Sequence, residues 1–387
     1  MRIHVAGLGY TASLIGHHLR RATPPSHSLV FLHSDEKAAR NAPLGFHVQT
    51  KHSTTTSTGI LHELYQDKGP IESLFVATRP FNSLKIIRDL APRLSSNSTI
   101  VLLTHGLSVF QTLIERQYQD PERRPHFVFA SLSHPGYFDP IAPPRQLSRR
   151  IIHSAVGNLD YAIEYDPRGR DFEAGFYDTN FTPDHRRPEL SDIAGLSGDP
   201  ELPRYRSLRN TIAVLQLTEA LNPRWKKLED VQVSLRRRVV FDSIIQPLGA
   251  VFGCSPKALF ATPQALRMAH MVCNEASAVF AAQLRENAKA WVAGQPAEDV
   301  GNLLGMGRLS VELEPDRLFE DCVNMAKDDE SMPNMLMALR HGRLTDIDYL
   351  NTYLLKLGRQ FGVNMMMTAF LRDLVRMRVG ISLDHAW

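Results

Sequence analysis

Between Arg2 and about Pro135, short runs of apolar and β-branched residues alternate with stretches of helical spacing, and this alternation limits the possible fold more than any other feature. The runs are IHVAG, SLVFLH, SLFVAT, TIVLLT and FVFASL, and Ala12–Arg21 and Asn82–Leu90 are among the helical stretches between them. A strand covered by helices on both faces reads as a continuous apolar run, so the pattern predicts a parallel sheet with helices wound on either side. From about Pro140 to Arg206, proline, glycine and aspartate become frequent. Within that region IIHSAV and DYAIEY read as strands, and Asp178–Arg204 reads as a mobile surface insertion. After Ser207 apolar residues recur every three or four positions, predicting helices over Leu208–Leu221, Leu228–Ile245, Pro263–Leu284, Asp316–Met325, Asp346–Phe361 and Asn364–Met377.

The expected architecture is α/β: an N-terminal Rossmann-type doubly wound parallel sheet over 1–207, then an all-α domain over 208–387. A chain of 387 residues suits two domains, since single domains usually hold ~100–200 residues. There is no apolar run long enough for a membrane-spanning helix. The formal charge of +3, from 44 basic and 41 acidic residues, is too small to announce a nucleic-acid or membrane partner, so any basic site must be local. Cys254, Cys273 and Cys322 lie far apart without C-x-x-C spacing, and the 16 histidines show no H-E-x-x-H, so no metal site is expected. The first residues pass directly into an apolar run, which leaves no cleavable presequence in view; a cytoplasmic location is expected, or a mitochondrial one reached by an internal signal.

The first run leads into GLGYTA, Gly7–Ala12, at the junction of a strand and a helix. That context gives a G-x-G-x-x-G/A pattern its meaning: Gly7 permits the tight turn, Gly9 lets backbone N–H groups approach a pyrophosphate, and Ala12 occupies the third place. The same turn also serves as a plain strand-to-helix connection. After the second strand neither a ribose-binding acid nor an arginine for a 2′-phosphate is evident; Ser34 stands at that place, with Lys37 and Arg40 as substitutes.

Taken in order, GLGYTA, VATRP, LLTHGLS, IIQPLGAVFGC and GRLTDIDYLN resemble the ketopantoate reductase family, the NADPH-dependent enzymes of pantothenate synthesis. The likeness spans nearly the whole chain outside the insertion. It implies a C-terminal domain like that of 6-phosphogluconate dehydrogenase, an NADP cofactor, and site residues that can be followed one by one. The family lysine that protonates the substrate carbonyl is matched by Arg238, and an asparagine one turn later by Asp242. The H/Q-N-G-M-G loop reads T-H-G-L-S here, which puts His105 at an altered position beside Gly106. The serine of S-M-L-Q-D falls on Asn334, with Met337 and Ala338 replacing the polar pair. The glutamate of T-E-I-D becomes Asp346, followed by a retained Asp348, and the cofactor-loop lysine becomes Arg79.

These changes bear on chemistry. Reducing a ketone needs a proton for the alkoxide, which a buried lysine yields readily and an arginine does not. Arg238 and Asp242, at i and i+4, are expected to pair. The resemblance therefore implies either a degenerate binding scaffold or a working NADPH-dependent 2-oxo-acid reductase in which Arg238 polarises the carbonyl and Asp346 or Asp348 anchors the substrate. The scaffold reading is similar to the fungal mitochondrial branch that activates translation of cytochrome b messenger RNA, with RNA or the mitochondrial ribosome as partner. Arg224, Lys226, Lys227, Arg236, Arg237 and Arg238, with Trp225 among them, would form its electrostatic footprint. The same residues also read as an ordinary solvated helix face.

Overall fold

The computed structural model describes residues 1–103, 106–139, 148–196, 198–293 and 308–381. The chain forms two compact units, Met1–Val231 and Gln232–Trp387. The strands are β1 (Arg2–Ala6), β2 (Ser28–His33), β3 (Gly45–Gln49), β4 (Thr54–Ser57), β5 (Ile60–Leu64), β6 (Ser73–Val76), β7 (Thr99–Leu102), β8 (His126–Leu132), β9 (Gly136–Phe138), β10 (Ser148–His153), β11 (Leu159–Ile163) and β12 (Pro223–Trp225). The first unit also holds the helices α1 (Tyr10–Ala22), α2 (Glu36–Arg40), α3 (Pro80–Asp89), α4 (Gly106–Arg116), α5 (Leu190–Ile193) and α6 (Leu202–Gln216).

Eight strands make the main sheet in the order β12-β11-β8-β7-β6-β1-β2-β5. Every pairing from β8 to β5 is parallel, β11 runs antiparallel to β8, and β12 follows β11 in parallel. The register lines up Phe31, Val5, Phe75, Val101 and Val128 on one face. There Leu14, Ile15 and Leu19 of α1 and Tyr205, Leu208, Ile212 and Leu215 of α6 bury them, at ~1.5–3 kcal/mol per large apolar side chain. On the opposite face Phe110 of α4 meets Phe127 and Phe129 edge-on, with ring centroids 5.1 Å away. Helices thus cover both faces, as the continuous apolar runs required. Strand order reverses at β1, which lies between β2 and β6, and the crevice outside the strand carboxyl ends at such a reversal is where open α/β sheets bind ligands.

Three features differ from the sequence expectations. A second sheet, ordered β4-β3-β10-β9, accompanies the first. The units divide after Val231 rather than after 207. The helix α6 belongs to the first unit, because Thr211 Oγ1 donates to Ser73 Oγ at 2.9 Å and the Ser207 and Thr99 hydroxyls lie 2.8 Å apart, while β12 extends the main sheet. The region expected as a mobile insertion is docked: Ile193 and Ala194 are fully buried in the first unit's core, and Arg170 bridges Asp199 and Glu201 at 2.8 and 3.0 Å.

The helical remainder comprises α7 (Leu228–Phe252), α8 (Pro256–Phe260), α9 (Pro263–Ala293), α10 (Pro315–Ala326), α11 (Asn334–Arg340), α12 (Asn351–Phe361) and α13 (Met366–Gly380). Buried polar groups lock it together. Asn351 Nδ2 donates to the Ser243 carbonyl at 3.0 Å, joining α12 to α7. The Glu275 carboxylate of α9 accepts from Met367 N and Thr368 N at 2.7 and 2.9 Å, satisfying free N–H groups where α13 begins. No described helix is long and apolar enough to cross a membrane.

Candidate functional site

The glycine turn sits at the carboxyl end of β1, at the reversal of the sheet. Gly7 has φ +115°, and a Cβ there would lie 2.5 Å from the Ala77 carbonyl oxygen at the end of β6. Only glycine fits that position. Gly9 is exposed, in extended backbone, and a Cβ there would meet nothing within 4 Å. It precedes α1, whose N-terminus has neither a side-chain cap nor an acidic residue in its first turn. The result is an open, electropositive cradle fitted to a phosphate group. Ala12 is buried on α1, but the close helix-to-strand approach falls at Gly16, where a Cβ would come within 2.6 Å of the Phe31 ring. The motif did not point to Gly16; a glycine inside a helical pattern was its signal.

The neighbouring strands bring two more expected residues to the same edge of the sheet. Arg79 follows β6 and stands at the N-cap of α3, half-buried, with no carboxylate partner among the described residues. Gly106 opens α4 after β7, again with no acid in the first turn. Because β1, β6 and β7 are consecutive in the sheet, Gly7, Arg79 and Gly106 end adjacent strands. His105 lies outside the described residues.

The end of β2 is less hospitable to a 2′-phosphate. Asp35 caps α2 by accepting from Ala38 N at 2.8 Å, and the Ser34 hydroxyl donates to the same carboxylate at 2.9 Å. Arg40 pairs with Glu36 at 2.5 Å. Only Lys37 keeps its charge without an ion-pair partner there among the described residues. Calorimetric titration is therefore expected to find a preference for NADPH over NADH below ~10-fold, because the Asp35 carboxylate opposes a second phosphate. A larger preference, abolished by Lys37→Ala, would contradict this.

In the second unit, Arg238 Nε donates to Asp242 Oδ2 at 2.8 Å. Asp242 is almost fully buried, and its charge raises the Arg238 pKa still further above its usual high value. Asn334, exposed, is the first residue of α11, which Gln246 of α7 anchors by accepting from Met335 N at 3.0 Å. Asp346 is half-buried and immediately precedes Ile347. Met335 and Ile347 share one core cluster with Ala250, Leu336, Leu350 and Val375, so Asn334 and Asp346 flank a common knot of packing. Arg238 lies eight residues before Gln246, roughly 12 Å along the helix. Asp348 is engaged with Arg376 at 2.8 Å and with the Thr352 hydroxyl at 3.0 Å.

Residues 3–138 match the family described as ketopantoate reductase PanE/ApbA, and residues 230–379 match its C-terminal domain. The chain belongs to the ketopantoate reductase family. The 2-dehydropantoate 2-reductase of Saccharomyces cerevisiae is 31% identical over 72 residues, a stretch that spans 19% of each chain. Among solved structures, a D-mandelate dehydrogenase with NADH and anilino(oxo)acetate shares 14% identity at a TM-score of 0.65, covering 98% of this chain and 99% of that one. The 2-dehydropantoate 2-reductase of Geobacter metallireducens shares 15% at 0.62, covering 97% and 99%. At such identities these structures establish the ketopantoate reductase fold and nothing finer.

The residues of the basic cluster are divided between the two units. Arg224 and Trp225 are on strand β12, where Arg224 pairs with Asp160 at 2.5 Å and the Trp225 ring packs near Tyr161. Lys227 lies over the Tyr177 ring at 4.3 Å. Arg236, Arg237 and Arg238 belong to the other unit, where Arg237 pairs with Asp321 at 2.6 Å, Arg238 with Asp242, and Arg236 lies over Phe280. Proline and short length hid the strand in the sequence.

The first unit is unusual in its buried histidines. Burial lowers His4 and His17 to about 3, and His18, His33 and His126 to about 4. Each stays neutral in the folded unit while the unfolded chain takes up a proton below about 6.5. Stability is therefore present above pH 6.5 and lost as pH falls toward the folded values, at ~1.4 kcal/mol per pH unit for each group. Glu164, pushed up to about 7 by burial, works the other way between its unfolded value and 7, as does Glu173, also raised by burial, while His62, His134 and His153, lowered by burial, act with the five. Denaturant titrations are expected to show stability falling steeply between pH 6.5 and 5; a flat profile would contradict it. Among the described residues no group of three His, Cys, Asp or Glu converges to hold a metal ion.

Proposed function

We propose that this protein binds a nicotinamide dinucleotide in its first unit but is a poor ketone reductase. The observation that carries the reading is the Arg238–Asp242 ion pair at 2.8 Å, standing where the family resemblance places a proton-donating lysine. A guanidinium held by a buried carboxylate has no proton to give at neutral pH. Its charge is also largely spent on its partner instead of on an incoming carboxylate.

The cofactor half of the proposal rests on the cradle at Gly7 and Gly9, with Arg79 and Gly106 at the ends of the next two strands. There the α1 N–H groups would hold a phosphate, and the end of β6 would wall the site. The dinucleotide, when bound, supplies a hydride. Asn334 and Asp346 would orient a polar substrate.

A second reading, an active NADPH-dependent 2-oxo-acid reductase, is favoured by one feature: the Arg238 side chain is 52% exposed, so its charge is open to a carbonyl it would polarise. Absorbance at 340 nm with ketopantoate and either NADH or NADPH separates the two. Negligible oxidation is the expected result. Turnover within ~10-fold of an ordinary enzyme, ~10 s⁻¹, would select the second reading.

A further inference from the structure

The glycine turn is not bordered only by its own strand and helix. The second sheet lies against it, and β10 sends one cation there: Arg149 NH1 donates to the Leu8 carbonyl, between Gly7 and Gly9, at 3.0 Å. The guanidinium is held over the Phe138 ring of β9, 3.4 Å from its centroid, and Phe138 in turn meets Tyr10, the first residue of α1, edge-on at 6.5 Å. Its position is therefore fixed from two sides.

At this place beside the glycine turn Arg149 also lacks a carboxylate partner among the described residues. Buried Arg93 is neutralised by Glu63 at 2.8 Å, and half-buried Arg170 by Asp199 and Glu201. Arg20 has no carboxylate, but it donates to three backbone carbonyls, those of Thr23, Pro24 and His27. Arg149 makes one hydrogen bond and, among the described residues, no ion pair. Its neighbour Arg150 takes the nearby Asp139 at 3.3 Å. Burial lowers the Arg149 pKa, and no acid offsets the effect. A half-buried cation without a counter-ion, facing an uncapped helix N-terminus, is a place prepared for an anion.

We propose that Arg149 is a phosphate-binding residue for the dinucleotide, reaching the glycine turn from the second sheet to contact the pyrophosphate. This rests on the dinucleotide reading of the turn. Planar, delocalised and with most of its N–H groups uncommitted, a guanidinium suits two phosphate oxygens better than an ammonium does.

The test is NADH affinity, measured by calorimetry, for the full chain and its Arg149→Gln and Arg149→Lys variants, with adenosine as a phosphate-free probe. Arg149→Gln keeps an N–H for the Leu8 carbonyl and removes the charge. It should weaken NADH by about 10- to 100-fold, the value of a charge-assisted hydrogen bond, and leave adenosine unchanged. Arg149→Lys should recover part of the loss. Unchanged NADH affinity in Arg149→Gln, or equal weakening of NADH and adenosine, would overturn the proposal and make Arg149 a strut of the turn. Wild-type protein that binds no NADH would overturn the dinucleotide reading itself, and Arg149 with it.

Discussion

Gly9→Val should abolish measurable NADH binding while leaving the melting temperature nearly unchanged, whereas Gly7→Ala should unsettle the fold itself. The two glycines are separated by one residue but answer to different constraints. At Gly7 the backbone has φ +115° and an added Cβ would stand 2.5 Å from a backbone oxygen that cannot swing away. Both segments of backbone must shift, at a cost of ~2–5 kcal/mol, or ~5–15 °C in melting temperature for a unit of this size. At Gly9 the backbone is extended and a Cβ meets nothing. Valine there costs ~1 kcal/mol or less in the fold, but its methyl groups occupy the space in front of the α1 N–H groups where a phosphate must lie. A Gly9→Val variant that binds NADH as well as wild type would show the turn to be structural only.

The largest chemical effect is expected with ketopantoate. Loss of a positioned general acid typically costs ~10²–10⁴ in rate. The Arg238–Asp242 pair compounds that loss by engaging the one charge left at the position. Arg238→Lys alone should not rescue turnover. The new ammonium would stand beside the same buried Asp242, which would keep it protonated and engaged. On the family resemblance, Asn334 would still stand where the family has its serine, and Met337 and Ala338 where it has its polar pair. Rescue by more than ~100-fold in the 340 nm assay would show that the rest of the site is intact and that the lysine alone was missing.

Much of this was legible in the sequence, and what was not has identifiable causes. Strands β1, β2, β6, β7 and β8 announced themselves because both their faces are buried, leaving no polar alternation to confuse them with loops. The second sheet stayed hidden because TTTS and GYF are short and largely exposed. The helix α6 was assigned to the helical half on periodicity alone; its allegiance is set by the hydroxyl contacts to Ser73 and Thr99, which no local pattern encodes. The Arg238–Asp242 pair was readable from its i, i+4 spacing. The placement of Arg149 against Leu8 was not, since 141 residues of chain separate the two.

The most direct single measurement follows nicotinamide fluorescence as the protein is added to NADH and ketopantoate is then added. Binding without catalysis predicts a saturable change in emission on adding protein, then no decay over many minutes once ketopantoate is present. Contradiction would take either of two forms: no change in emission at any protein concentration, or a decay corresponding to turnover within ~10-fold of an ordinary enzyme.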